Sequence, residues 1–170
     1  MKPGALYGKY RGTVTNNIDP MQMGRLQAVV PDATGIIPGT WAMPCLPVAG
    51  INNGIFSMPT IGSGVWIEFE RGDPRFPIWV GAYWGSAVEM PTLARLVPPG
   101  IHGITLQTQL NNGIVISDVP GPTGGILIQT ATGAMISVSD TGVIISNGKG
   151  AIINMAGPSV DVNAGALTVI

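Results

Sequence analysis

The carboxy-terminal 46 residues decide the fold class, and residues 125–170 read GILIQTATGAMISVSDTGVIISNGKGAIINMAGPSVDVNAGALTVI. Short apolar runs alternate here with Ser, Thr, Asn and Asp, and glycine interrupts them at nearly regular intervals. The glycines that we expect at turns are Gly113, Gly125, Gly133, Gly142, Gly150, Gly157 and Gly165, spaced 12, 8, 9, 8, 7 and 8 residues apart. A repeat of about eight residues accommodates one short strand and one tight turn. The pattern therefore predicts a regular array of β-strands.

Alternation inside these strands predicts that one face is apolar. Ile136 and Val138, for example, alternate with Ser137 and Ser139. Because successive side chains of a strand point to opposite faces, residues of one parity belong to one surface. The residues predicted to fill an interior are Ile126, Ile128, Ile136, Val138, Val143, Ile145, Ile153, Met155, Val160, Val162, Leu167 and Val169.

So short a repeat predicts a trimer. A single chain wound this tightly encloses too little volume for a dry core and leaves strand edges without hydrogen-bond partners. Three copies around one axis remove both problems, so we expect each strand to pair with strands of the other two chains, with glycines at the corners of a triangular prism. Two inward side chains on each of eight strands amount to on the order of 25–45 kcal/mol of gross burial per chain. That burial exists only in the assembly.

The first half of the chain has a different composition. Seven of the eight Lys and Arg residues lie within residues 1–95, and every aromatic residue precedes residue 85. Adjacent prolines in Leu96-Val97-Pro98-Pro99-Gly100 stop any helix there. We therefore predict a domain over residues 1–95, a linker over 96–100 and a shaft over 101–170. The strands predicted in the first domain are Gly8–Asn17, Met23–Pro31, Thr40–Cys45, Val65–Arg71 and Pro77–Trp84, which suit a closed barrel of the OB type.

Composition excludes several functional classes. A net charge of −1 and a charged fraction of 10% argue against a nucleic-acid-binding protein. No apolar run exceeds three residues, which excludes a membrane-spanning helix. One cysteine, Cys45, precludes an intrachain disulfide. The first residues have no apolar segment typical of a signal peptide, so we expect a protein that is made and kept in the cytoplasm, or exported inside an assembly.

Few residues suggest chemistry. Cys45 has no histidine nearby in sequence and is interpreted as a buried or half-buried structural residue. His102 is the single histidine; it is either a polar residue at the entrance of the shaft or, in three copies, a metal ligand on the trimer axis. Glu68 and Glu70 are predicted on one strand face about 7 Å apart, a spacing that suits acid–base work on a sugar. Neighbouring charged residues favour a solvated face instead.

The aromatic residues leave a further alternative. Trp66, Trp79, Tyr83 and Trp84 are able to stack on bases or sugars, yet the absence of a basic stripe favours barrel core or subunit contacts. We therefore predict no catalytic residues, no metal and no cofactor.

A set of spaced residues in the first domain resembles a known family. The matching positions are Gly12-x-Val14, Asn17-x-Asp19-Pro20-x-x-x-Gly24-Arg25-Leu26-x-x-Val29, Trp41, Pro44, Pro59-x-x-Gly62-x-x-Val65-x-Ile67-x-Phe69-x-x-Gly72-Asp73 and Pro77-x-x-x-Gly81. They resemble the OB domain of the central spike proteins of contractile injection machines, which include baseplate assembly protein V of phage tails and the valine-glycine repeat proteins of type VI secretion. In that family a triple-stranded β-helix follows the barrel, and residues 101–170 look like a short version of it.

The resemblance implies a mechanical function. It implies a homotrimeric spike in the virion baseplate, or in an equivalent contractile particle, that docks on a separate hub protein and pierces the target envelope when the sheath contracts. Contact with the envelope is transient, and no nucleic acid is bound. A PAAR-like tip protein is expected to cap the apolar end, at Leu167, Thr168, Val169 and Ile170. The alternatives are a trimeric tail adhesin whose OB ring binds a glycan or another ligand, and a lysin.

Overall fold

The structure, a computed structural model, describes residues 4–169, with side chains described as far as Leu167. Within these residues the chain is built from strands and a few short helical turns, which confirms the prediction of an all-β protein. No helix in this range is long and apolar enough to cross a bilayer. The chain divides into two compact units, with the boundary between Glu89 and Met90.

The first unit contains seven strands, one four-residue α-helix and two 3₁₀ turns. Their bounds are β1 Tyr10–Asn16, β2 Gln27–Val29, α1 Pro31–Thr34, β3 Met43–Pro44, β4 Ala49–Gly50, β5 Asn53–Gly54, β6 Gly64–Phe69, a 3₁₀ turn Glu70–Gly72, β7 Pro77–Tyr83 and a 3₁₀ turn Ala87–Glu89. Each of the five predicted strand segments overlaps one of the five strands of the barrel sheet, and β6 begins one residue before and ends two residues before its predicted segment.

Five of these strands close into a barrel. The sheet order is β2-β1-β6-β7-β3, with β3 parallel to β7 and the other pairs antiparallel. Leu26 and Ala42, which precede β2 and β3, join the two ends of this order through reciprocal backbone hydrogen bonds of 3.2 and 2.7 Å. Closure leaves no long unpaired edge, as expected for a small OB-type barrel.

The barrel has its own dry core. Along β6, Val65, Ile67 and Phe69 are buried, whereas Trp66 and Glu68 between them are only partly buried, as the period-two pattern predicts. The buried cluster comprises Val14, Leu26, Ala28, Val30, Ala42, Val65, Ile67, Phe69 and Trp79. Its one polar atom is satisfied, because the indole Nε1 of Trp79 donates a hydrogen bond of 2.9 Å to the carbonyl of Gly24.

The second unit contains one 3₁₀ turn followed by eight strands. Their bounds are a 3₁₀ turn Thr92–Leu96, β8 Gly103–Gln107, β9 Gly113–Ser117, β10 Gly125–Gln129, β11 Met135–Ser139, β12 Gly142–Ser146, β13 Ile152–Ala156, β14 Ser159–Val162 and β15 Leu167–Val169. Residues 92–96 contact β8 and β9, so part of the segment preceding the Pro-Pro pair packs with this unit.

The strands of the second unit pair with one another inside one chain. Their order in the sheet is their order in the sequence, β8 to β15, and every pair is antiparallel. The prediction that each strand pairs with strands of two other chains is therefore wrong. Connections of two to seven residues let each strand fold back on its predecessor, which satisfies the backbone groups locally.

Candidate functional site: the apolar face of the second sheet

Strand register aligns apolar residues in two columns across the whole second sheet. The first column consists of Ile104, Ile116, Ile126, Val138, Val143, Met155, Val160 and Val169. The second column consists of Leu106, Ile114, Ile128, Ile136, Ile145, Ile153, Val162 and Leu167. Both columns have the same strand parity, so they belong to one surface, which we call the apolar face.

The apolar face is uncovered in the single chain. Leu106 is 65% exposed, Ile128 is 44% exposed and even Ile153 is 37% exposed. A contiguous apolar surface of this kind is rare on a monomeric soluble protein and marks an interaction surface. The twelve predicted interior residues all occupy these two columns. Sequence reasoning left Ile104, Leu106, Ile114 and Ile116 out of that set, although they carry the same alternation.

The opposite face of the sheet is mixed and partly covered. Between Ile136 and Val138 of the apolar face, Ser137 lies on the other surface, and farther along it Asn154 pairs with Asp161. At β8 and β9 the 3₁₀ turn supplies Leu93, which is buried together with Val115. Only these two apolar side chains are buried among the described residues of the second unit, so the sheet has no core of its own.

Glycine lets consecutive hairpins approach closely. Gly125 has φ +79°, and a Cβ atom placed there would lie 2.1 Å from the carbonyl oxygen of Val138. Gly142 is equally crowded, at 2.1 Å from the carbonyl oxygen of Met155. The predicted turn glycines lie in the connections or begin a strand: Gly133, Gly150, Gly157 and Gly165 lie in connections, and Gly113, Gly125 and Gly142 open β9, β10 and β12. All of them therefore lie at the margins of one sheet.

The connections between strands form two different margins of the sheet. Edge A consists of the connections 118–124, 140–141 and 157–158, and edge B consists of 108–112, 130–134, 147–151 and 163–166. On edge A, Asp140 Oδ2 accepts a hydrogen bond of 3.1 Å from the backbone N–H of Gly121. On edge B, Asn112 Oδ1 accepts one of 3.0 Å from Ala131. Neighbouring connections are thus held together on both margins.

The predicted tip contact lies at the last strand. Leu167 is 59% exposed and pairs with Val162, so β15 ends the sheet. The backbones of Thr168 and Val169 belong to β15, while Ile170 and the side chains of Thr168 and Val169 lie outside the described residues. The structure therefore supplies an apolar side chain at an unpaired strand edge, the feature on which the tip prediction depends.

The carboxylates Glu68 and Glu70 do not share a strand face. Strand β6 ends at Phe69, and Glu70 begins the 3₁₀ turn, because Arg71 and Gly72 have left-handed φ values of 54° and 77°. The carboxylate of Glu68 instead accepts a hydrogen bond from the ammonium group of Lys9, the residue before β1. The predicted carboxylate pair is therefore wrong in its geometry.

The remaining polar candidates stand apart. Cys45 is exposed, so the predicted burial of this residue is wrong, and its backbone N–H donates a hydrogen bond of 2.9 Å to the carbonyl oxygen of Trp79. His102 is exposed, and its carbonyl accepts a hydrogen bond of 3.0 Å from Asp118. Within residues 4–169 of a single chain, no three His, Cys, Asp or Glu side chains are grouped as metal ligands would be.

The tryptophans of the barrel have separate environments. Trp79 belongs to the core, whereas Trp84 is 58% exposed. The rings of Trp66 and Tyr83 are in contact, with centroids 5.0 Å apart and planes tilted by 48°, and the guanidinium carbon of Arg11 lies 5.5 and 5.2 Å from their centroids. This cation–π cluster on the outer surface of the barrel sheet is partly exposed.

An ion pair that sequence reasoning did not identify fixes the loop between β1 and β2. Asp19 accepts backbone hydrogen bonds from Met21, Met23 and Arg25 at 3.0, 2.8 and 3.2 Å, and its Oδ1 accepts two more from the Arg25 guanidinium at 2.6 and 3.0 Å. The Arg25 hydrogen bonds, with those from the backbone, hold the pKa of Asp19 far below its ordinary range. The Asp19-Pro20 to Gly24-Arg25 spacing was the available signal.

One stretch of the barrel carries exposed apolar residues and no charge. Residues 33–67 contain no Asp, Glu, Lys or Arg. Ile36, Ile51 and Phe56 within this stretch are largely exposed, and Ile51 lies at the tip of the β4–β5 hairpin. Depletion of charge together with exposed large apolar side chains is typical of the centre of a protein–protein interface.

Two family models match the chain. Residues 10–84 match the type VI secretion system/phage-baseplate injector OB domain. Residues 103–168 match the phage baseplate V C-terminal trimerisation domain. The search of curated proteins gave no match.

The two matched ranges follow the two structural units and together take in most of the 170 residues. The second match, to a trimerisation domain, supports the predicted homotrimer. Both descriptions indicate a tail-associated location in a baseplate. The chain therefore belongs to the baseplate V spike family, the structural baseplate proteins of phages and type VI secretion systems.

Proposed function

We propose that three copies of the second unit pack their apolar faces around one axis and form a rod that pierces the target envelope. The observation that carries this proposal is the pair of uncovered apolar columns, eight residues each, which run across every strand of the sheet. Three such faces turned inward bury on the order of 25–45 kcal/mol of apolar transfer free energy per chain. Eight strands at about 4.8 Å per step make a rod roughly 35–40 Å long.

The arrangement of hydrogen bonds suits a part that transmits force. Every internal strand of the sheet is bonded to a neighbour on both sides, and most connections are two to five residues long. Bending such a rod requires many ladder hydrogen bonds to break together, and a dry interior adds resistance to unfolding. We infer that the chain acts mechanically and that catalysis is no part of its function.

We also propose where the partners bind. The uncharged stretch 33–67 of the barrel, with Ile36, Ile51 and Phe56 exposed, supports docking on a separate hub protein of the baseplate. At the opposite end of the chain, Leu167 and the unpaired edge of β15 support capping by a separate, PAAR-like tip protein. The domain limits that we propose are those of the sequence: a barrel within 1–95, a linker at 96–100 and a shaft over 101–170.

One observation favours a second candidate function. The cluster of Arg11, Trp66 and Tyr83 is partly exposed. Its two aromatic rings offer surfaces on which a sugar ring packs, and the guanidinium N–H groups of Arg11 offer hydrogen bonds to sugar hydroxyls. The second candidate is accordingly a trimeric tail adhesin. Binding to a glycan array that disappears in Trp66→Ala, with trimer mass retained, would favour the adhesin over the spike.

Light scattering with size exclusion tests the proposed assembly directly. The purified chain is expected to have three times its 17.6 kDa mass. A stable, well-folded species at 17.6 kDa would refute the rod.

Particles that carry Ile136→Lys are expected to adsorb to cells but not to deliver their contents, whereas delivery by such particles would refute piercing by this domain. A zymogram on peptidoglycan tests the lysin alternative, and a cleared band would contradict a purely mechanical function.

A further inference from the structure

The two margins of the second sheet carry opposite charges. Asp140 lies on edge A and Lys149 lies on edge B. Lys149 is the only Lys or Arg after residue 95. Within the described part of the chain its ammonium group forms no ion pair or side-chain hydrogen bond. Asp140 uses Oδ2 for the N–H of Gly121, which leaves Oδ1 available. The ammonium group of Lys149 and the Oδ1 atom of Asp140 are therefore both available to a partner outside their own sheet.

The two groups cannot meet inside one chain. The whole length of β12, Gly142–Ser146, separates the connection that holds Asp140 from the one that holds Lys149. Five residues of extended strand span about 17 Å, which is beyond the reach of the lysine side chain. A partner for Lys149 on edge A must therefore come from another molecule.

Threefold packing brings unlike margins together. A rotation about one axis places edge A of each copy beside edge B of the next, because the contact is head-to-tail and closes after three copies. Asp140 lies at the level between β11 and β12, and Lys149 lies at the level between β12 and β13. The two levels differ by one strand step, about 4.8 Å, which the four-carbon stem of lysine spans. Asp118, the other acidic residue on edge A, lies three steps from Lys149.

We propose that Lys149 of each copy forms an ion pair with Asp140 of the neighbouring copy at the three corners of the rod. This inference rests on the trimer proposed above and deepens it. The pair sets the axial register of the copies. The apolar columns repeat nearly the same Ile and Val residues at every level, so a slip by one strand still buries apolar surface. A single cation that meets a single carboxylate at one level distinguishes the correct register from the slipped ones.

Cysteine cross-linking tests the contact in the full-length protein. In a Cys45→Ser background, Lys149→Cys is combined with Asp140→Cys, and the trimer is mildly oxidised. A disulfide needs Cα atoms within about 7 Å, so this pair cannot close inside one chain. We expect bands at two and three times the chain mass on a non-reducing denaturing gel. The matched control combines Lys149→Cys with Asp118→Cys and is expected to remain monomeric on that gel.

The outcomes separate the inference from the proposed function. A trimer mass in light scattering, with no covalent species from the Asp140 pair and no recovery in the charge exchange described below, overturns the corner contact and leaves the trimer intact. Equal cross-linking of the Asp118 pair overturns the proposed register. A monomer mass before oxidation overturns the proposed trimer itself, and with it the contact.

Charge exchange supplies an independent measurement. Lys149→Asp alone and Asp140→Lys alone are each expected to lower the thermal midpoint of the trimer by a few degrees. Because Asp140→Lys also removes the hydrogen bond from Gly121, the double exchange is expected to recover only the part of the loss that comes from the ion pair, and its midpoint should lie above that of Asp140→Lys alone. Lys149→Asp combined with Asp118→Lys is the matched control and is not expected to recover the loss. Absence of rescue in the Asp140 double variant contradicts the proposed ion pair.

Discussion

The barrel and the second sheet are both built from short, mostly antiparallel strands, but they differ in where their apolar side chains lie. Nine buried residues form the barrel core, and each belongs to that unit. In the second unit, among the described residues, only Leu93 and Val115 are buried apolar side chains, and both lie away from the two apolar columns. The barrel is therefore stabilised by contacts within one chain. Every internal strand of the second sheet is hydrogen-bonded on both sides, but the sheet lacks the burial that stabilises a fold.

The difference separates two requirements of β structure. A meander satisfies backbone donors and acceptors whether or not its faces are covered. Burial of a face, by contrast, depends on what packs against it. The barrel meets both requirements by closing on itself, as the Leu26–Ala42 bridge shows. The second sheet remains open and meets only the first, so its stability depends on copies of the same chain.

Ile136→Lys is expected to have the largest effect, because it places three ammonium groups in the proposed dry interior. Light scattering should show the mass falling from three chains to one. The matched control is Ser137→Lys, which carries the same charge on the opposite face and should keep the trimer. An Ile136→Lys variant that stays trimeric would show that the apolar columns do not form the interface.

Gly125→Ala is expected to destabilise the second sheet strongly. The new Cβ atom would lie 2.1 Å from the carbonyl oxygen of Val138, so β11 has to move. Gly133→Ala has a similar left-handed φ of +87°, but its nearest neighbour is 3.8 Å away, and its cost should be only the conformational one of about 1–2 kcal/mol. Thermal midpoints of the two trimers give the comparison. Equal midpoints would contradict the close approach at Gly125.

Leu26→Ala is expected to lower the free energy of unfolding of the barrel by about 2–5 kcal/mol without changing the mass of the trimer. All four tryptophans precede residue 85, so fluorescence during urea unfolding reports on the barrel. Ile18→Ala, at an exposed position, serves as the control with little expected change. Dissociation of the trimer by Leu26→Ala would show that the two units are not independent in stability.

Asp19→Asn is expected to have the smallest effect, and its size should depend on pH. The folded state holds the pKa of Asp19 far below its ordinary range, so the carboxylate stabilises the barrel above about pH 4. That stabilisation is lost as the pH falls from there through the lowered pKa. The urea midpoints of the parent and the variant should therefore differ at pH 7 and converge towards pH 2. A difference that stays constant would argue against the ion pair with Arg25.

Alternation in the sequence predicts faces but not pairing partners. The parity of Ile136 and Val138 against Ser137 was enough to place twelve residues on one surface. The same parity is compatible with pairing inside a chain or between chains, because side-chain direction does not depend on which strand supplies the hydrogen bonds. The pairing inside one chain was therefore missed. What covers the face was inferred from the need for burial, a requirement that holds for either pairing.

Local backbone conformation explains the other errors. Glu70 continues the apolar–polar alternation of β6, but the left-handed conformations of Arg71 and Gly72 end the strand at Phe69. A left-handed arginine carries no clear sequence signal. The Asp19–Arg25 pair was not identified either, because five loop residues separate the two charges and their proximity depends on how that loop folds. Sequence patterns thus predicted the elements better than the ends and contacts of those elements.

Pairing of each strand with its neighbour in sequence has a consequence for how the particle is built. Contacts between residues close in sequence form quickly, so one chain is able to complete its ladder before it meets another copy. In the proposed trimer, three such sheets stabilise one another when their apolar faces meet, and no chain has to thread around the others. Until the copies meet, however, each sheet exposes its apolar face to water. The cell must make the copies close together in time and space, since a sheet that waits is prone to aggregate.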